Sequence, residues 1–128
     1  MTWTSTTLGV IDGTIADTER KWAESLAYVR RAAAFSRAHG ATFVLAAIPP
    51  VEQFTRPSTR VHYQDVLRRL CDREGIPFID LLAKLEGIDH QGAYWDWDPH
   101  FTPRGHELVA DILFEETRTL LLTARGLR

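Results

Sequence analysis

A chain of 128 residues supports one domain rather than two. Hydrophobic residues make up 45% and charged residues 25%, the balance of an ordinary globular domain. The formal net charge of −2 gives no bulk pull toward nucleic acid or anionic lipid, and one cysteine, Cys71, excludes an internal disulfide framework. That cysteine reads as a buried, inert thiol. No apolar run is long enough to cross a membrane, so no membrane partner is expected. The opening "MTWTSTTLGV" lacks the basic and apolar regions of a signal peptide, which makes a cytoplasmic location the expectation, barring a leader upstream. Lysine stands only at Lys21 and Lys84; arginine supplies the other positive charges.

From Asp17 to His39 the spacing predicts a helix, with Trp22, Leu26, Val29 and Ala33 recurring at three and four. Asp17 or Thr18 caps its start and Gly40 ends it. "ATFVLAAI" then reads as a strand buried on both faces, as in a parallel sheet. "PPVEQFTRPSTR" is a loop with three prolines, and the Pro49–Pro50 bond is a candidate for a cis peptide at the mouth of a site. A second helix is expected over Val61 to Glu74, with Val66, Leu67 and Leu70 opposite Arg68, Arg69 and Arg73, and Gly75 stopping it. A second short strand covers Ile76 to Leu81, followed by a helical turn over Leu82 to Leu85. Glu86 to Phe101 reads as one long loop. The last helix starts with Thr102 as cap and Pro103 in its first turn, and its apolar face comprises Leu108, Val109, Ile112, Leu113, Leu120 and Leu121.

Helices alternating with strands imply right-handed crossovers and a parallel sheet between helices. The expectation is a three-layer α/β/α, flavodoxin-like domain over residues 1–128, with residues 1–16 as an N-terminal segment or strand and 17–128 as an αβαβα core. Two strands make a poor sheet. Trp3 to Ile11 is the candidate third strand; otherwise a second copy or a partner chain completes the sheet. Ligands of such sheets bind at the carboxyl ends of the strands, where the "PPVEQF" and "WDWDPHF" loops lie.

Within the second of these loops, Asp98 and His100 stand two apart. Alternate side chains of an extended segment project to one side, so the carboxylate can hold one ring nitrogen and leave the other as a base. The plainer reading is a surface Asp and a satisfied His beside a helix cap. "DPHFTPRGHELVADIL" resembles the last block of the SGNH/GDSL hydrolases and their O-acyltransferase relatives, in which an Asp-x-His precedes the C-terminal helix. "AHGATFVLAAIPP" and "REGIPFIDLL" resemble the later strand–helix units of that fold, so the likeness covers roughly Trp22 to Thr117. By this resemblance His100 is the catalytic base, Asp98 orients it, the substrate is an acylated small molecule or glycan, and no cofactor is required. The family also needs a serine in a Gly-Asp-Ser-like turn, with a Gly and an Asn donating to the oxyanion, and no such blocks are recognisable. Ser25 and Ser36 fall within a predicted helix, Ser5 lacks the context, and Ser58 is the least unsuitable. Either the chain is the C-terminal part of a larger enzyme, or a partner supplies the serine, or the chain is a binding or assembly module that keeps the fold.

Two other constellations compete. "VIDGT" resembles the first motif of haloacid-dehalogenase-like phosphatases, with Asp12, Gly13 and Thr14 in place; Val10 occupies the position of the phosphoryl-accepting Asp and can neither be phosphorylated nor bind magnesium. Asp96, Asp98, His100 and His106 are oxygen and nitrogen donors within one short stretch and form a candidate metal set. Tyr94, Trp95, Trp97 and Phe101 flank the Asp–His pair, either as packing over the sheet or, for Trp95 and Trp97, as a substrate wall. His106 is read as a capping-region or packing residue, Arg104 as an exposed residue rather than a contact for an acidic substrate, and Gly105 as a point of close approach between helix and sheet.

Overall fold

The structure, a computed structural model, describes residues 15–55, 63–124 and 126. The segment Trp3 to Ile11, the Asp12-Gly13-Thr14 motif, Ser5 and Ser58 lie outside the described residues. The described helices are α1 (Ile15–Lys21), α2 (Ala23–Ala38), α3 (Glu52–Thr55), α4 (Tyr63–Glu74), α5 (Leu81–Glu86) and α6 (Pro103–Ala124), and the strands are β1 (Leu45–Ala47), β2 (Phe78–Asp80), β3 (Tyr94–Trp95) and β4 (Asp98–Phe101). The molecule is therefore a mixed helix–strand protein. Its parallel sheet consists of β1 and β2 among the described residues, and β3 and β4 form a separate antiparallel hairpin. Two compact units are distinguished: the described residues of Met1–Ala47 with Glu52–Phe78, and Ile48–Val51 with the described residues of Ile79–Arg128.

In the first unit, the helix expected from Asp17 is two helices, with Trp22 between them at φ −98°, ψ 5°. Backbone bonds continue across it, from Trp22 N–H to Thr18 and from Leu26 N–H to Trp22. The Trp22 ring lies 5.7 Å from that of Tyr63 at the start of α4. Leu26, Val66 and Leu70 form one buried cluster, flanked by Ile15, Trp22, Val29 and Leu67; Ala33, Cys71 and Ile76 form another, flanked by Phe43, Leu45 and Phe78. The two long helices of this unit end in the same way. Gly40 and Gly75 take φ of +70° and +64°, and the N–H of the next residue reaches back five positions, Ala41 to Ser36 and Ile76 to Cys71. The strands are shorter than the apolar runs suggested. Leu45 N–H bonds to Pro77 C=O, but Pro77, Pro49 and Pro50 have no N–H to extend a ladder. No peptide bond is cis among the described residues, Pro49–Pro50 included.

The proline loop also differs from expectation. Glu52–Thr55 is a helical turn, and it carries Gln53 fully into the interior. There the Gln53 and Gln64 amides donate to each other, at 3.0 and 2.6 Å. A buried amide loses more from an absent partner than a bond to water returns. Gln64→Leu is therefore expected to lower unfolding free energy in urea by about 1–3 kcal/mol.

Cys71 is buried on the inner side of α4. Burial, and secondarily the charge of Asp72, push its thiol from 9.0 up to about 11. At pH 8 it should resist iodoacetamide in the native protein and react promptly in denaturant. Above pH 9 the unfolded chain loses a thiol proton that the folded chain keeps. Stability should therefore fall as pH rises from 9 to about 11, at up to about 1.4 kcal/mol per pH unit.

In the second unit, Asp80 caps α5 by accepting from the N–H groups of Leu82 and Ala83, and buries Leu81 and Leu85 on the helix it starts. The long loop expected from Glu86 instead contains the β3–β4 hairpin. α6 begins as the sequence indicates, with the Thr102 hydroxyl accepting from Gly105 N–H at 3.1 Å. Val109 is buried and Ile112 and Leu113 half-buried, while Leu121, expected on the same apolar face, is 59% exposed. No helix among the described residues is long and apolar enough to cross a membrane.

Candidate active site

The first turn of α6 holds the segment before it. Thr102 donates its backbone N–H to Ala93 C=O at 2.9 Å and its hydroxyl to Gly92 C=O at 2.6 Å. Arg104 donates to the Gln91 carbonyl at 2.9 Å and the Asp89 carbonyl at 3.2 Å, with the Asp89 carboxylate at 3.4 Å. Arg104 is exposed, as expected, and clamps this loop. At Gly105, a Cβ would lie 2.0 Å from Ala93 O and 2.9 Å from the Phe101 ring, so the close approach expected against the parallel sheet is made instead against the loop and the hairpin. His106 sets its ring edge-on to Phe101, centroids 5.6 Å apart, in the packing role expected of it.

The hairpin has an anchored side and an exposed side. Tyr94 pairs with Phe101 in the ladder, their rings 4.7 Å apart, and the Tyr94 hydroxyl donates to Pro49 C=O at 2.5 Å. This bond joins Pro49 to the first strand of the hairpin. Trp95 pairs with Asp98 across the two-residue turn Asp96–Trp97. Trp95 is 43% exposed and Trp97 80% exposed, with ring centroids 5.9 Å apart and planes tilted by 31°. The aromatic residues around the pair therefore divide: Tyr94 and Phe101 are packing residues, whereas Trp95 and Trp97 face solvent.

Pro99 and His100 fall between the two registered pairs, in a bulge of β4. Pro99 has no N–H to offer a ladder. The N–H of His100 turns instead to Asp98 Oδ1, at 2.8 Å. The same carboxylate oxygen accepts from His100 Nδ1. Asp98 and His100 are thus in contact, through a bulge and an Asx turn rather than through plain alternation. The backbone N–H of His100, and then its ring, hold the Asp98 carboxyl below the usual carboxylate range. An ionised carboxylate only accepts, so Nδ1 carries a proton, and in the neutral ring Nε2 is then the nitrogen with the lone pair. The His100 side chain is 82% exposed, and Nε2 has no hydrogen-bond partner among the described residues.

The described serines, Ser25 and Ser36, both lie within α2, where a regular helical backbone makes no nucleophile turn. Among the described residues no three His, Cys, Asp or Glu side chains converge to hold a metal ion, and of the expected set only Asp98 and His100 are in contact. Comparison of the chain with family models, curated proteins and solved structures finds no match.

Proposed function

We propose that this chain carries the base half of an SGNH-type acyl-transfer site, as an ester hydrolase or O-acyltransferase or the C-terminal part of one. His100 Nε2 takes the proton of a serine hydroxyl as its oxygen attacks the ester carbonyl, and returns it to the departing alcohol; water or a second alcohol then releases the acyl group. Asp98 fixes the tautomer that leaves Nε2 free. One observation carries this reading: the Asp98–His100 contact, immediately ahead of the capped helix α6. Within it, the parallel pair β1–β2 with α4 between them is one crossover of a three-layer, flavodoxin-like domain, completed by the N-terminal strand or a partner chain. The expected substrate is an acylated small molecule or glycan.

The exposure of the His100 ring favours one other reading, a binding module that keeps the fold without the chemistry. Hydrolysis of p-nitrophenyl acetate separates the two, measured on the chain alone and with any co-purifying partner. The catalytic reading expects turnover together with covalent labelling of a serine by a fluorophosphonate, both lost in His100→Ala. Absence of labelling in either form leaves the binding module.

A further inference from the structure

We propose that Trp95 and Trp97 form a stacking platform for a neutral glycan chain beside the Asp98–His100 pair. Resting on the acyl-transfer reading for its biological sense, this names the glycan as the substrate class. Three features of the hairpin lead there.

First, the platform is rigidly mounted. Tyr94 and Phe101 stack on the anchored side, Tyr94 bonds to Pro49, and Thr102 and Arg104 hold the loop that leads in. The backbone that carries the indoles does not have to be ordered by the ligand, which lowers the cost of binding. Second, the rings are open to solvent. With planes only 31° apart and Trp97 80% exposed, they do not wall in a small cation as an aromatic cage does. Third, the polar groups nearby are acceptors. Asp96 sits in the turn and Asp98 on β4, while Arg104 is committed to Asp89 and Gln91. Two carboxylates disfavour an anionic ligand such as a nucleotide or fatty acid, and they would lose hydration against a bare acyl chain. A neutral sugar presents C–H faces to the indoles and O–H donors to the carboxylates, and so matches both.

The test is titration with unesterified neutral hexasaccharides of glucose, mannose and N-acetylglucosamine, followed by tryptophan fluorescence and calorimetry. Binding of at least one is expected, weakened about tenfold or more in Trp97→Ala and less in Trp97→Phe. Thermal unfolding of Trp97→Ala should match the parent, because that ring is exposed. Failure of all three sugars to bind, equal binding by Trp97→Ala, or displacement by choline chloride would overturn the proposal. No ester is cleaved in this experiment, so its outcome is independent of the serine-labelling result that judges the catalytic reading.

Discussion

Gly105→Ala is expected to destabilise the protein by about 3 kcal/mol or more, the range of a forced overpacking with no flexible neighbour to yield. The added methyl carbon would sit 2.0 Å from the carbonyl oxygen of Ala93 and 2.9 Å from its carbonyl carbon. Both are backbone atoms. That same oxygen accepts the N–H of Thr102, so it cannot move away without breaking the junction between loop and helix. A lower urea midpoint at unchanged slope is the expected reading. Gly87→Ala is the control: its Cβ would meet Lys84 O at an ordinary 3.4 Å, with helical backbone angles. It should stay within about 0.5 kcal/mol of the parent. Equal stability of the two variants would show that the approach of α6 to the loop is looser than described.

The second large effect is on activity. On the proposed acyl-transfer reading, His100→Ala should lower the rate of ester cleavage by roughly a hundredfold to ten-thousandfold, the contribution of a positioned general base. Asp98→Ala should follow it with a smaller loss, because the ring then turns freely and either nitrogen can carry the proton. Asp98 also bonds the His100 N–H, so this variant loosens the bulge as well as the ring. Acid weakens the Asp98–His100 contact and the stability it contributes. The folded carboxyl titrates below its ordinary value, so its contribution is complete above the usual carboxylate range and is lost as pH falls through the lower folded value. Full turnover by His100→Ala would remove the imidazole from the reaction.

Much of the helical frame was legible. The three-and-four spacing marked α2, α4 and α6, and Gly40 and Gly75 marked two ends, because only a residue free to take positive φ closes a helix that way. The hairpin was not legible. Its first strand has two residues, its turn Asp96–Trp97 lacks the glycine that announces a tight turn, and Pro99 argues against a strand unless a bulge admits it. Prolines likewise concealed α3, and nothing in a glutamine pair shows that both side chains are buried. Asp98 and His100 could be paired by spacing, although the contact is made by a turn that spacing does not describe. The role of Arg104 was invisible because two of its acceptors are backbone carbonyls, which every residue has. No nucleophile was legible either: Ser5 and Ser58 lack any motif that would bend the chain around a hydroxyl.

The bonds that fix the loop ahead of the hairpin span few residues. Thr102 and Arg104 reach partners only 9 to 15 positions earlier in the chain. Closing so short a circuit costs little chain entropy, since that cost grows by about 0.6 kcal/mol for each doubling of length. The stretch from Asp89 to Gly105 can therefore assemble before distant partners meet, and re-form quickly after a local opening. The Asp98–His100 contact would then be an early product of folding, set in place before the more distant contacts close.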